Sequence, residues 1–156
     1  MINTLDKSFR IVLSLLMAVM LACVTWQVVS RYALNSPSSW TEELARFALI
    51  WIGLLGAAYA YHLKMHLGLE LLIHRLKPAS GRRLQIALHS LAILFSALVM
   101  VYGGIKLVAM THELQQFSPA LGWSMAWVYL CLPISGVMLI IYALIDCVSL
   151  LKETEA

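Results

Sequence analysis

Charge is scarce in this chain. Asp, Glu, Lys and Arg make up 12% of its 156 residues, and 62% are hydrophobic. A soluble domain carries about twice that charge and is nearer half apolar, so a soluble globular class is excluded and a membrane protein is indicated. The length allows one domain, spanning 1–156. Cysteine is almost absent. Cys23, Cys131 and Cys147 stand apart in apolar surroundings. No CxxC or Cys/His cluster exists, which rules out a zinc motif and a disulfide framework; the three read as small buried hydrophobes. The excess of positive charge is only +3 and dispersed, too little to suggest a nucleic-acid partner. No nucleophile–base pair, phosphate loop, metal motif, internal repeat or low-complexity stretch appears. No enzyme, catalytic residue, metal or cofactor is expected.

What is present is four apolar runs, at about 11–31, 40–63, 84–110 and 124–151. The expected fold is an all-α membrane protein of four transmembrane helices. The first run follows Lys7 and Arg10. Its 19 apolar-dominated residues, Ile11 to Val29, exceed the roughly 7–15 of a signal-peptide core. An uncleaved span is expected. The second opens with "SWTE", which sets Ser39 three residues before Glu42 in a capping-box pattern. Glu42 and Glu43 then lie in the first turn, where the helix dipole favours negative charge. The third run is longer than a hydrocarbon core of ~30 Å requires at 1.5 Å per residue, so it should tilt or project. The fourth contains Pro133, Ser135 and Gly136, and a kink near Cys131 is expected.

Between the second and third runs lies "KMHLGLELLIHRLKPASGRR". Leu69, Leu72, Ile73 and Leu76 fall at i, i+3, i+4 and i+7, opposite a stripe of His66, Glu70, His74 and Lys77. That is amphipathic-helix periodicity, ended by Pro78 and Gly81. Two readings stay open: an interfacial helix lying on the membrane, or a second span projecting into water.

Lys and Arg set orientation. Lys7, Arg10, Lys64, Arg75, Lys77, Arg82, Arg83 and Lys152 fall on one side, against Arg31, Arg46 and Lys106 toward the other. Eight against three places both termini in the cytoplasm. Trp26, Trp40, Trp51, Trp123 and Trp127 all fall toward the outer side, where an aromatic belt sits.

The five histidines raise haem ligation, since His62 and His66 share a helix face. Only His89 lies within a span, and structural or interfacial roles are expected instead. A transport site is not indicated either. Glu42, Glu43, Glu113 and Asp146 all lie near span ends, and no span is strongly broken by paired glycine and proline, as midplane sites often are. Gly53–Ala57 and Gly56–Ala60 make small-xxx-small spacings on the second span, and Gly103 and Gly104 offer a similar surface on the third. They serve either packing within the chain or contact with another subunit. Glu42 and Arg46 are at i and i+4, Glu43 and Arg46 at i and i+3, so both carboxylates can reach the guanidinium. This cluster reads as a helix cap with a local ion pair, or as a polar contact with a partner.

The ordered set Arg31-Tyr32, Asn35, Trp40, Glu42-Glu43, Arg46, Trp51, Gly56 and His66, within "SRYALNSPSSWTEELARFALIWIGLLGAAYAYHLKMHLGLELL", resembles the small membrane subunit of TRAP transporters, the tripartite ATP-independent periplasmic transporters of bacteria and archaea. "LPISG", Leu132 to Gly136, is similar to the family as well. The likeness extends over essentially the whole chain. It implies a non-catalytic scaffold subunit in the bacterial inner membrane, among membrane lipids and tightly bound to a large membrane subunit. That large subunit would move a carboxylate solute (a sialic acid, C4-dicarboxylate or sugar acid) by sodium coupling, after transient delivery by a periplasmic solute-binding protein. Arg31, Asn35, Trp40, Glu42, Glu43, Arg46, Trp51, Gly56 and His66 become candidates for interface or structural roles. The alternative from another class is a haem-binding membrane anchor of a redox enzyme.

Overall fold

In hydrocarbon every backbone N–H and C=O must find its partner within the segment, so apolar runs of this length fold as helices. A computed structural model describes residues 2–63 and 78–152. Its helices are α1 (Ile2–Tyr32), α2 (Ser39–His62), α3 (Pro78–Phe95), a π-helical stretch Ser96–Gly103 that continues into α4 (Gly104–Glu113), α5 (Met125–Tyr129) and α6 (Cys131–Lys152). Four stretches are long and apolar enough to cross a membrane: Asp6–Tyr32, Ser39–His62, Gly81–Glu113 and Met125–Ser149. The chain is an all-α, four-span membrane protein. The amphipathic segment, with His66 and His74, lies outside the described residues. At 33 residues the third span would be about 50 Å long, well over what the bilayer core needs.

The contacts gather into two units, Met1–Gly56 with Leu107–Cys131 and Ala57–Lys106 with Leu132–Ala156. In the first, α1 ends because Asn35 adopts a left-handed conformation (φ 48°), which asparagine tolerates better than most residues. The Ser36 N–H closes the turn on the Ser30 carbonyl at 3.1 Å. The α4 end is a Schellman turn: Gln115 is left-handed (φ 49°), the Gln116 N–H reaches the Thr111 carbonyl at 3.2 Å and the Gln115 N–H that of His112 at 3.1 Å. Phe117 and Ser124 then pair in a lone antiparallel bridge.

In the second unit, glycine permits close helix approach. A Cβ on Gly136 would stand 2.7 Å from Met100 Cβ, and one on Gly104 would stand 2.9 Å from Pro133 Cδ. Gly136 thus abuts the π-helical stretch itself. Gly53 and Gly56 behave differently: a Cβ on either meets nothing within 4 Å. The fourth span is interrupted at Leu130. Pro133 has no N–H to give the Tyr129 carbonyl four residues back, which breaks the helix where a kink was expected.

Candidate functional site

The polar residues of the first unit converge at the start of α2. Thr41 is 1% exposed. Its hydroxyl donates to the Ser38 carbonyl at 2.9 Å and lies 3.0 Å from the Ser38 hydroxyl. The side-chain hydrogen bonds at this helix start join Ser38 and Thr41. The Gln27 amide donates to the Thr41 carbonyl at 3.0 Å and ties α1 to α2.

Glu42 and Glu43 part company here. Glu42 faces out and pairs with Arg46 at 3.1 Å, both side chains about three-fifths exposed. Glu43 is buried, and its two oxygens accept the backbone N–H groups of Ala120 and Leu121 at 3.1 and 3.0 Å. Of the two carboxylates within sequence reach of Arg46, Glu42 is the one that pairs with it. Successive helical residues point about 100° apart, and the second carboxylate closes the loop between α4 and α5. Within that loop the Ser118 N–H reaches the Trp123 carbonyl at 2.8 Å, and the Gly122 N–H the Ser118 carbonyl at 3.0 Å. Gly122 is left-handed (φ 66°), a conformation that favours glycine.

The other candidates are spread around this cluster. Arg31 ends α1, a favourable place for a cation. With Gln27, Ser38 and Glu42 it lines a small polar pocket of about 80 Å³. Trp40 is half exposed. Trp51 lies deeper and lines an apolar groove with Trp123 and Trp127. Gly56 faces open space. Sequence reasoning missed Gln27, Thr41 and the two loop amides. A glutamine within an apolar run was the one available signal.

In the second unit, the Tyr61 hydroxyl and His89 Nδ1 are 2.5 Å apart, and the His62 ring stacks on Tyr142 at 4.3 Å. Asp146 is buried three residues from the end of its span. His62 and His89 thus have aromatic neighbours, and no His/Cys/Asp/Glu group that could hold a metal occurs among the described residues.

A family model described as "Tripartite ATP-independent periplasmic transporters, DctQ component" matches residues 20–153. The chain belongs to the DctQ family. It is 31% identical over 137 residues to the sialic acid TRAP transporter small permease protein SiaQ of Vibrio cholerae, covering 88% of this chain and 78% of that one. It is 30% identical over 137 residues to the ectoine TRAP transporter small permease protein TeaB of Halomonas elongata, covering 85% and 69%. It is 29% identical over 118 residues to the isethionate TRAP transporter permease protein DctMQ of Oleidesulfovibrio alaskensis, covering 72% of this chain but 18% of that protein. As a DctQ protein it is a small TRAP permease subunit, a multi-pass inner-membrane component of a transporter and not an enzyme.

Proposed function

We propose that this DctQ subunit is a non-catalytic scaffold, a single membrane domain held tightly against a large TRAP membrane subunit. That partner carries out sodium-coupled uptake of a carboxylate solute delivered by a periplasmic binding protein. The observation that carries this reading is the use of charge. In the described spans the acidic groups lie near the ends, and the buried Glu43 is consumed by two backbone amides. Nothing there resembles the central ionisable group that marks an ion path. The DctMQ relative supports the partner: a segment similar to this chain forms a small part of one long permease polypeptide. Both termini lie in the cytoplasm, by the eight-to-three distribution of Lys and Arg. The loops 33–38 and 114–124 then face the periplasm, where Arg31, Asn35, Trp40, the Glu42–Arg46 pair and Trp51 stabilise the outer end beside the partner. Names of relatives span sialic acid, ectoine and isethionate, so the solute is set by the other components.

Reconstitution tests this. Proteoliposomes holding this chain alone should show no uptake. Adding the large subunit and binding protein should give uptake that depends on a sodium gradient. Sodium-driven uptake by this chain alone would refute the scaffold role.

A further inference from the structure

We propose that Asp146 anchors a structural site for one monovalent alkali cation where α2, α3 and α6 meet. Asp146 is 8% exposed, and its Oδ2 is sealed from solvent and accepts no hydrogen bond. The described residues give the carboxylate no ion pair. The nearby Ser149 hydroxyl is spent on the Asp146 backbone carbonyl, at 2.8 Å. Tyr61 of α2 stands within electrostatic reach of Asp146, and its hydroxyl pairs with His89 Nδ1 of α3. All three residues belong to the second unit.

Charge decides the occupant. A carboxylate taken out of water needs a counter-charge, and buried charges are paired or coordinate metals. A water would supply a donor but no charge. A lysine or arginine of another subunit needs the carboxylate at the surface, and the exposed positions of α6 are Ile141, Leu144 and Val148 instead. The counter-charge must therefore be small enough to enter the bundle. One carboxylate balances one positive charge, whereas divalent calcium draws on several oxygen ligands and commonly more than one carboxylate. Carboxylate and phenol oxygens are hard donors, unlike the thiolates and imidazoles that select transition metals. A phenol oxygen can hold one hydrogen bond and still turn a lone pair to a cation.

Position agrees with charge. Asp146 lies three residues from the end of the span Met125–Ser149, and Tyr61 one residue from the end of Ser39–His62. At 1.5 Å per residue both are within about 5 Å of the span ends. An ion reaches that depth from water without crossing the hydrocarbon core. Held there it joins three helices and stays in place, so the site adds no transport path to the chain.

Thermal unfolding of the full-length chain in an uncharged detergent tests the proposal. Sodium, potassium and N-methylglucamine chlorides are compared at one pH and one ionic strength. A ligand held only by the folded chain raises the midpoint as its concentration rises. Sodium or potassium should therefore raise the midpoint above that in N-methylglucamine, a cation too large to enter. Asp146→Asn keeps the shape, removes the charge and should abolish the difference. In N-methylglucamine the same variant should unfold at a higher temperature than the wild type, because no uncompensated charge remains. Should Asp146→Asn not fold, Asp146→Ala removes the carboxylate and carries the same expectation for the cation response. Tyr61→Phe should raise the alkali concentration needed for half the effect by at least about tenfold. Glu113→Gln, at an exposed carboxylate of α4, should leave the response intact. Three outcomes would overturn the site: equal midpoints in all three salts for the wild type, an undiminished alkali response in Asp146→Asn, or its loss in Glu113→Gln. The first would mean that the occupant is a water or a proton.

Discussion

Glu43 and Ala120 are 77 residues apart in the chain and joined by a 3.1 Å hydrogen bond. The carboxylate does for the loop what a strand would otherwise do: it gives acceptors to two N–H groups that have left helical structure. Buried donors without acceptors are costly, so loop and helix are coupled. Glu43→Ala should unfold the loop locally and lower the midpoint of thermal unfolding in detergent. Glu43→Gln should act in the same direction but less, because one of its two groups is a donor facing donors. Hydrogen exchange reads this directly. The Ala120 and Leu121 amides should be protected in the wild type and lose protection in Glu43→Ala, while Glu42→Ala leaves them unchanged. Equal protection in Glu43→Ala would show that the clasp is dispensable.

The glycines separate into two kinds, and alanine distinguishes them. Gly136→Ala forces a Cβ to 2.7 Å from Met100 Cβ, and overpacking of this sort costs about 1–3 kcal/mol. Gly53→Ala meets open space and removes a helix-interior glycine, which should stabilise the isolated chain by about 0.5–1 kcal/mol. Thermal or denaturant unfolding of the purified subunit should move in opposite directions for the two variants.

Much of this arrangement was readable from the residues. The four spans follow from hydropathy, because the bilayer leaves the backbone no other option. The break before Pro133 follows from a missing N–H. Other features had no local signal. The two carboxylates Glu42 and Glu43 carry the same chemistry, and adjacency alone does not reveal that one faces water and the other a loop 77 residues away. Ser38 and Ser39 are equally good hydrogen-bonding residues on paper; it is Ser38 that meets Thr41, three residues on. The π-helical stretch Ser96–Gly103 is a nearly unbroken apolar run within a longer one, so nothing in the sequence announced it. Small residues were visible as a class, but which of them meet a neighbour within the chain depends on tertiary approach.

Orientation yields a plain test. In the proposed orientation the inner side carries eight of the eleven Lys and Arg residues, a bias of the kind that governs insertion. A fluorescent reporter fused after Ala156 should light in the cytoplasm, and an alkaline phosphatase fused there should be inactive. The same phosphatase inserted in the loop 114–124 should be active. An active phosphatase at the C-terminus would reverse or break the four-span topology.

Arg46 separates a cap from a contact. Its pair with Glu42 is i,i+4 and exposed, the kind of ion pair that contributes about 0.3–0.5 kcal/mol. Arg46→Ala should therefore change the stability of the isolated subunit by less than about 0.5 kcal/mol. Arg46→Glu sets a third carboxylate near Glu42 and adds repulsion of similar size. Neither figure is large enough to unfold a four-helix protein. If the exposed pair lies against the large subunit, the size changes, because a charge stripped of its partner at a desolvated interface costs several kcal/mol. We expect Arg46→Glu to leave the isolated subunit folded while sharply reducing the amount of large subunit that co-purifies, with solute uptake falling in parallel. Arg46→Lys should fall between, since an ammonium keeps the charge but not the planar fork of donors. Co-purification and uptake at wild-type levels in Arg46→Glu would confine this pair to the helix start, and the search for the partner contact would move to the open face of Gly53 and Gly56.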